Sequence, residues 1–255
     1  MSLESPHVAS DLANLRDLGG LPTPDGAVRT GMLWRSDDVS RTTPEQAARL
    51  IGDGLSLVLD LRSREEVADS GRGHLAGHGA DYLSLPLTEN ATDPDAMRLL
   101  LSELSSKELM GQWYAAMLVR TAGSVVRGLD AIATTTGATL FHCAAGKDRT
   151  GVFAASVLSV LEVPDHEIIA DYALTHAALP AILERLRAGA SLALIESGEL
   201  SIESPLLSAS AETMAAMLAC VNEEHGGVLA VLQGAGLSDD TIAVLRSRLV
   251  GQRDA

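Results

Sequence analysis

The segment FHCAAGKDRTG, residues 141–151, combines a nucleophile with groups that bind anions. A strand is predicted to end at Cys143 and a helix to begin near Arg149, which leaves a short loop between them. Backbone N–H groups of such a loop can converge on an anion, and the N-terminus of the following helix adds partial positive charge. Gly146 has no Cβ where the turn is tightest, and the Arg149 guanidinium can bind two phosphate oxygens. The segment therefore predicts an anion site, the Cys143 loop (residues 143–149), with the sulfur beneath the anion.

The sulfur of Cys143 is expected to be a thiolate at neutral pH. Helix N-termini and nearby cations lower the pKa of a cysteine from about 8.5 to roughly 3.5–7.5, and His142, Lys147 and Arg149 are all close in sequence. A thiolate needs no separate base before it attacks. On average residue usage, the histidine, cysteine, glycine and arginine–threonine of this segment coincide in about one chain in thirty thousand. A functional loop is therefore favoured over a chance strand-to-helix turn.

The same residues exclude a nucleoside triphosphate site. The ATP-binding P-loop requires a glycine five positions before Gly146, where this chain has Phe141. It also requires a serine or threonine after the lysine, where Asp148 stands. The glycine–lysine pair alone therefore does not indicate nucleotide binding.

Strands and helices alternate around the Cys143 loop. Short, nearly continuous apolar runs predict strands at MLWRS (32–36), LSLVLDL (55–61), DYLSLPL (81–87) and ATLFHC (138–143). Apolar residues at helical spacing predict helices in TTPEQAARLI, DAMRLLLSEL, QWYAAMLVRTAGSVVRGLDAI and TGVFAASVLSVLEV. This alternation predicts an α/β fold with a mostly parallel central sheet flanked by helices.

Capping residues mark the ends of two predicted helices. In TTPEQAARLI, Thr43 is a predicted N-cap, Pro44 fits the first helical position and Gln46 completes a capping box. Ser238 is the predicted N-cap of the last helix. Every segment after about residue 165 is predicted to be helix or loop, and we expect this part to pack on the sheet. The expected organisation is therefore a single domain over residues 1–255 with a helical C-terminal extension.

Composition excludes several classes of partner. Lys and Arg number 19 and Asp and Glu number 34, which gives a formal net charge of −15. Such a chain repels nucleic acids and anionic membrane surfaces. No apolar stretch is long enough to span a bilayer, so we expect no stable membrane insertion. Because the N-terminus lacks the basic and apolar regions of a signal peptide and there are only two cysteines, we expect a cytoplasmic protein, with secretion without a signal peptide left open.

The HCAAGKDRTG sequence resembles the active-site loop of the cysteine-dependent protein phosphatases, His-Cys-x5-Arg-Ser/Thr. More narrowly, the chain is similar to the bacterial tyrosine phosphatases of the atypical, dual-specificity and lipid-phosphatase-like type, the group of mycobacterial tyrosine phosphatase B. Four further stretches resemble this group, together with the C-terminal helices: NLRDLGG (14–20), LWRSD (33–37), LDLRSREE (59–66) and DYALT (171–175). The first of these has Leu15 where the group has phenylalanine. The resemblance covers nearly the whole chain, and its most specific part is the Cys143 loop.

This resemblance implies a two-step hydrolysis of phosphate monoesters without a metal or other cofactor. Cys143 attacks phosphorus and forms a cysteinyl phosphate, which water then cleaves. Arg149 and the loop amides hold the phosphate oxygens, so phosphate or sulfate is expected to bind there. The other loop residues expected to bind substrate are Ala144, Ala145, Gly146 and Lys147.

Two neighbours of the loop are expected to assist the nucleophile. Thr150 is expected to hydrogen-bond the sulfur and improve it as a leaving group; the alternative is a hydroxyl that only caps the helix N-terminus. His142 is expected to bias the thiol towards its ionised form; the alternative is that its ring N–H orients the loop.

The general acid has two candidate positions. Tyrosine phosphatases of the Trp-Pro-Asp type use an aspartate from a separate loop, and the matching segment here lacks that sequence but offers Asp93 and Asp95 by position. In phosphoinositide phosphatases of the same chemistry, an aspartate directly before the loop arginine can take this part, and Asp148 stands there. Asp148 is favoured, with a surface salt bridge near Arg35 or Arg62 as the structural alternative.

Three further cations are candidates for the anion pocket. Lys147 resembles the loop lysine of lipid phosphatases and can bind a second phosphate; the alternative is a solvated lysine at a helix start. Arg35 and Arg62 end two strands on the side facing the loop, where they can extend the anion pocket. Buried pairing with Asp17 or Asp60 is the favoured alternative for these arginines.

Phosphotyrosine in a protein or peptide is the expected substrate, and phosphoserine, phosphothreonine and phosphoinositides are further candidates because Ala144 and Ala145 leave the loop mouth open. The negative net charge counts against docking on anionic membranes. A phosphoinositide phosphatase with the same loop is the alternative. A sulfurtransferase does not need the arginine–threonine pair, an arsenate reductase normally has resolving cysteines, and a non-catalytic phosphate-binding module would be expected to lack Cys143 or Arg149.

Overall fold

The computed structural model describes residues 12–88, 103–186, 204–205 and 207–252, and the strands of this part form two sheets. The strands are β1 (Arg16–Asp17), β2 (Pro22–Thr23), β3 (Gly26–Val28), β4 (Leu33–Ser36), β5 (Leu55–Asp60), β6 (Asp81–Ser84), β7 (Ala138–His142) and β8 (Val250–Gly251). The larger sheet has the order β1-β4-β7-β5-β6 and the smaller one the order β2-β3-β8.

The larger sheet is parallel except at one edge. Strands β4, β7, β5 and β6 pair in parallel, and β1 pairs antiparallel to β4. The central strand β7 ends beside both neighbours, with His142 opposite Ser36 on one side and Asp60 on the other. The carboxyl ends of these strands therefore meet at one edge of the sheet, from which Cys143 leaves β7. The predicted α/β fold with a mostly parallel sheet is confirmed.

Both faces of this sheet are buried, which explains the continuous apolar runs of the central strands. Alternate residues of a strand point to opposite faces. Leu59 and Phe141 belong to the larger core, where the Phe141 ring lies 4.9 Å from that of Phe153. Val58 and Leu140 belong to a second, smaller core on the other face.

The described helices flank the sheet and form the C-terminal part. They are α1 (Pro44–Gly52), α2 (Arg64–Ser70), α3 (Lys107–Thr134), α4 (Asp148–Val160), α5 (Asp165–Leu186), α6 (Ala211–His225), α7 (Val228–Gly234) and α8 (Asp239–Leu249). Two short 3₁₀ turns lie at Val39–Arg41 and Gly73–Gly77. None of the helices in the described part of the chain is long and apolar enough to cross a membrane.

The predicted caps of α1 and α8 are confirmed. Thr43 accepts the N–H of Gln46, while the Gln46 side chain accepts the Thr43 N–H, so the capping box is complete. Ser238 caps α8 by accepting the Thr241 N–H at 3.0 Å. Local sequence therefore determines both helix starts.

The C-terminal helices pack closely on α3, because Gly111 has no side chain at the crossing: a Cβ there would lie 2.5 Å from the Ala216 Cβ of α6. One expectation was wrong in detail. The chain after residue 165 is not only helix and loop, because β8 follows α8 and pairs antiparallel with β3. The single domain over residues 1–255 stays a prediction.

Candidate active site

The Cys143 loop connects the end of β7 to the start of α4. Cys143 is only 1% exposed. Gly146 has left-handed backbone with φ of +66°, and a Cβ there would lie 2.5 Å from the Ser36 carbonyl oxygen and 2.8 Å from the Asn14 Nδ2. Only glycine fits this turn without displacing a neighbouring backbone group.

Several backbone N–H groups of the Cys143 loop have no acceptor in the described part of the chain. Among the described residues, no hydrogen-bond acceptor is engaged by the backbone N–H of Ala144, Ala145, Gly146, Asp148 or Arg149. The first hydrogen bond at this end of α4 runs from the Gly151 N–H to the Lys147 carbonyl at 2.7 Å. Since N–H groups at a helix N-terminus have no partner within the helix, they are available to an anion.

Arg149 is held by a carboxylate from α2. Its Nη2 donates to Glu66 Oε1 at 2.9 Å, and its Nη1 donates to Glu66 Oε2. Glu66 Oε2 also accepts the N–H of Ser63 at 2.7 Å, as part of the α2 capping box. Burial acts to lower the pKa of Arg149, but the charge of Cys143 and the pairing with Glu66 outweigh it, so the pKa is raised and the guanidinium stays charged.

A buried network supports the back of the Cys143 loop. The Gly146 carbonyl accepts from Asn14 Nδ2 at 2.9 Å and from Arg35 Nη2 at 3.0 Å. Arg35 Nη1 also donates to Asp171 Oδ2 at 2.5 Å, and Arg16 Nε donates to Asp171 Oδ1 at 2.7 Å. Burial acts to raise the pKa of Asp171, but the two arginines outweigh it and lower the pKa, so this carboxylate stays ionised.

Asp148, the favoured acid, is the first residue of α4 and its side chain is 27% exposed. Its Oδ1 accepts from Tyr114 Oη at 2.5 Å and lies 2.8 Å from Lys147 Nζ. The alternative of a salt bridge to Arg35 or Arg62 is wrong, because both arginines pair elsewhere. The other candidate acids, Asp93 and Asp95, lie outside the described residues.

Lys147 is buried, with 3% of its surface exposed. Its Nζ donates to the Ser208 carbonyl at 3.2 Å and to Tyr114 Oη at 3.4 Å, in addition to the pair with Asp148. Burial acts to lower the pKa of Lys147, but Asp148 outweighs it and the pKa is raised. The alternative of a solvated lysine is therefore wrong: Lys147 is a buried cation bound to the protein.

Arg35 and Arg62 are both held in buried ion pairs, which counts against the expectation that they extend the anion pocket. Arg35 is fully buried and pairs with Asp171, which was not among its expected partners. Arg62 is 1% exposed and pairs with Asp60 at 2.6 Å and with Asp38 at 2.8 Å. Buried pairing, the favoured alternative, describes both residues.

His142, which precedes Cys143, and Thr150, which follows Arg149, are both fully buried. His142 Nδ1 is 3.4 Å from the Cys143 carbonyl oxygen, and its Nε2 is 3.6 Å from Asp60 Oδ2. Burial lowers the pKa of His142 although Asp60 opposes this, so the neutral ring is favoured. Thr150 Oγ1 has no hydrogen-bond partner within the described part of the chain.

Comparison with known proteins identifies the family to which the chain belongs. The sequence profile described as the tyrosine phosphatase family matches residues 8–251. The chain belongs to the tyrosine phosphatase family. It is 30% identical over 273 residues to the triple specificity protein phosphatase PtpB of Mycobacterium tuberculosis, covering 93% of this chain and 96% of that protein. It is also 30% identical over 228 residues to a tyrosine-protein phosphatase of Nostoc commune, covering 88% of this chain and 76% of that one.

Membership of the tyrosine phosphatase family confirms the expected enzyme class, a phosphatase that hydrolyses phosphate monoesters. The structure explains why stretches distant in sequence resemble this family: NLRDLGG, LWRSD and DYALT supply Asn14, Arg35 and Asp171 to the network behind the Cys143 loop. The roles expected for individual site residues are proposals.

Sequence reasoning missed three groups of this tyrosine phosphatase site. Glu66, which holds Arg149, lies in the stretch LDLRSREE that resembles the family, but it was given no role in the site. Tyr114 and Tyr172 were read as parts of helices, and their hydroxyl groups lie 2.8 Å apart next to Asp148. No local pattern announces such contacts, because the partners come from separate helices.

Proposed function

We propose that this chain hydrolyses phosphotyrosine in proteins through a cysteinyl phosphate at Cys143. The observation that carries the proposal is that, within the described residues, the N–H groups of Ala144, Ala145, Gly146, Asp148 and Arg149 have no acceptor, in the loop that begins at the buried Cys143. Such donors suit the equatorial oxygens of a phosphoryl group, and the charged Arg149 guanidinium, which is held by Glu66, can add positive charge.

In the first step the Cys143 sulfur attacks phosphorus as the bond from phosphorus to the tyrosine oxygen breaks. Arg149 and the loop amides stabilise the charge on the transferring oxygens. Asp148 donates its proton to the departing phenol oxygen, so the leaving group departs as a neutral phenol. The products are a cysteinyl phosphate, the dephosphorylated protein and an Asp148 carboxylate.

In the second step water cleaves the cysteinyl phosphate. The Asp148 carboxylate takes a proton from the water as its oxygen bonds to phosphorus, and the sulfur leaves as a thiolate. Thr150 is the third residue of α4, and we propose its buried hydroxyl as a donor to the departing sulfur. Its lack of a partner among the described residues supports this role, since an unpaired buried hydroxyl is costly.

Protein substrates are proposed over phosphoinositides. Lys147, the residue expected to bind a second phosphate, is engaged by Asp148 and the Ser208 carbonyl and is 3% exposed. The net charge of −15 also opposes binding to anionic membranes. The name of the mycobacterial relative, a triple specificity protein phosphatase, supports a range wider than phosphotyrosine. The cytoplasmic location also stays a proposal.

The test replaces the proposed nucleophile and compares it with the other cysteine. Cys143→Ser is expected to lower p-nitrophenyl phosphate turnover by more than about a thousandfold, and Cys220→Ser on α6 is expected to leave it unchanged. Mass spectrometry of rapidly quenched wild-type enzyme is expected to show one added phosphoryl group on the peptide that contains Cys143. Full turnover by Cys143→Ser, or a phosphorylated peptide elsewhere, would overturn the proposal.

Substrate choice is tested with one enzyme preparation on tyrosine, serine and threonine phosphopeptides and on soluble short-chain phosphoinositides. The highest kcat/KM is expected for phosphotyrosine peptides. A chelator is expected to leave these values unchanged. Preference for a phosphoinositide would favour the lipid-phosphatase alternative instead.

A further inference from the structure

The hydroxyl of Tyr114 occupies the centre of a buried cluster next to the Cys143 loop. Tyr114 is on α3, is 0% exposed, and its Oη lies 2.5 Å from Asp148 Oδ1. The same oxygen lies 2.8 Å from Tyr172 Oη of α5 and 3.4 Å from Lys147 Nζ. Three different parts of the chain thus meet at one phenol oxygen.

The donors and acceptors of this cluster can be assigned from chemistry. A phenol has one hydrogen and can accept two hydrogen bonds. Lys147 can only donate, and Asp148 Oδ1 accepts, so the Tyr114 hydrogen goes to Asp148 and its lone pairs accept from Lys147 and Tyr172. The hydroxyl of Tyr114 is then fully satisfied, and its single hydrogen points at the carboxyl group of Asp148.

The two oxygens of Asp148 are consequently different. Oδ1 receives the one hydrogen bond that Tyr114 donates and lies 2.8 Å from the Lys147 ammonium. Oδ2 has no hydrogen-bond partner within residues 12–88, 103–186, 204–205 and 207–252. A proton on this carboxyl group is therefore carried by Oδ2, because Oδ1 already faces two donors.

We propose that Tyr114 is a positioning residue for the general acid: it fixes Oδ1 of Asp148 so that the proton on Oδ2 is held towards the leaving group. This inference rests on the proposed function of Asp148. Tyr114 does not touch the substrate. It acts by restricting rotation of the Asp148 side chain, which is 27% exposed at the start of α4. Correct orientation of an acid in the ground state lowers the barrier that its proton transfer must cross.

The charge states of the cluster are compatible with this role. Burial is the main cause that raises the pKa of Tyr114 well above its ordinary value, and the Asp148 charge adds to it. Burial likewise raises the pKa of Tyr172. Both phenols therefore keep their hydrogens over the working range of pH, and Tyr114 remains a donor whether Asp148 is protonated or ionised.

The alternative is that Tyr114 is only a satisfied core residue of α3. The two roles make different predictions, because an acid matters most for poor leaving groups. A core residue would affect all substrates alike. The chain contains three tyrosines, so the third, Tyr82, serves as a matched control: it donates to Asp60 at 2.9 Å and has no contact with Asp148.

The experiment measures kcat/KM for a series of aryl phosphates of rising leaving-group pKa and for one alkyl phosphate. Tyr114→Phe removes one oxygen and is expected to lower kcat/KM about tenfold for the poorest leaving groups. For dinitrophenyl phosphate, which leaves without a proton, the expected change is less than about twofold. Retained turnover of this activated substrate also shows that the variant is folded. Tyr82→Phe is expected to leave the dependence on the leaving group unchanged.

The double variant Tyr114→Phe with Asp148→Asn tests whether Tyr114 acts through Asp148. Once the acid is absent, Tyr114→Phe is expected to cause no further selective loss. Equal slowing of all substrates by Tyr114→Phe, or an additive selective loss in the double variant, would overturn the positioning role while leaving the proposed function intact. Equal slowing of all substrates by Asp148→Asn alone would exclude Asp148 as the general acid and would overturn this inference. Loss of activity in Cys143→Ser would in that case still support the proposed phosphatase function.

Discussion

Replacing Glu66 by alanine tests how much of the site depends on a residue outside the Cys143 loop. The substitution removes both hydrogen bonds that Arg149 donates and the one donated by the Ser63 N–H. The side chains of Arg149 and Glu66 are 10% and 11% exposed. Breaking a buried pair costs about 3–5 kcal/mol, while an exposed pair is worth about 0–1 kcal/mol. For this nearly buried pair we expect a loss of about 2–3 kcal/mol in the free energy of unfolding.

The catalytic effect follows from the freedom that Arg149 gains. Without Glu66 the guanidinium must be oriented by the substrate itself, and that ordering reduces transition-state stabilisation. We expect kcat/KM for p-nitrophenyl phosphate to fall about 10- to 100-fold, which corresponds to about 1.4–2.8 kcal/mol. The assay is steady-state hydrolysis, combined with urea unfolding of the same preparations.

Two variants of α2 separate this effect from helix stability. Ser63→Ala removes the N-cap acceptor of the Glu66 N–H but keeps the Arg149 pair, so we expect a loss of about 1 kcal/mol in stability and unchanged kcat/KM. Glu65→Ala removes an exposed carboxylate from the same helix and is expected to change neither quantity. If Glu66→Ala loses stability but keeps the wild-type kcat/KM, the reasoning about Arg149 is refuted.

Two further predictions concern Gly146, within the Cys143 loop, and Asp60, at the end of β5. Gly146→Ala is expected to lower turnover more than about a hundredfold, because a Cβ at φ of +66° would lie 2.5 Å from the Ser36 carbonyl oxygen and left-handed backbone itself costs about 1–2 kcal/mol. Gly123→Ala, in open space on α3, is the control. Equal kinetics for the two variants would contradict this explanation. Burial acts to raise the pKa of Asp60, but the hydrogen bond and charge of Arg62 outweigh it and lower the pKa from 3.8 to about 2. Because this folded-state pKa is depressed, its stabilisation is complete above about pH 4 and is lost as pH falls towards about 2. Urea unfolding at pH 5 and pH 3 is expected to show this loss in the wild type and a smaller loss in Asp60→Asn; the same slope in both would exclude Asp60 as its source.

The sequence was sufficient to predict those structural features whose cause lies within a short stretch of the chain. The apolar run of β7, the glycine at the turn and the capping residues of α1 are read within about ten positions, and the structure confirms those elements. The pairs that organise the site could not be read in this way. Arg149 and Glu66 are 83 residues apart and Arg35 and Asp171 are 136 apart, so only the folded sheet brings them together. The sequence offered Arg35 as an anion-pocket residue and favoured buried pairing with Asp17 or Asp60 as the alternative, whereas the structure pairs it with Asp171.

The buried network explains how a loop with so many unengaged N–H groups stays closed. Left-handed backbone at Gly146 and unpaired donors both oppose this conformation. The loop conformation is stabilised by the hydrogen bonds that the Gly146 carbonyl accepts from two buried donors, Asn14 and Arg35. Asp171 compensates the Arg35 charge, so the donor can remain buried without attracting the substrate away from Arg149. The loop is then formed before phosphate arrives, and binding energy is not consumed in ordering it.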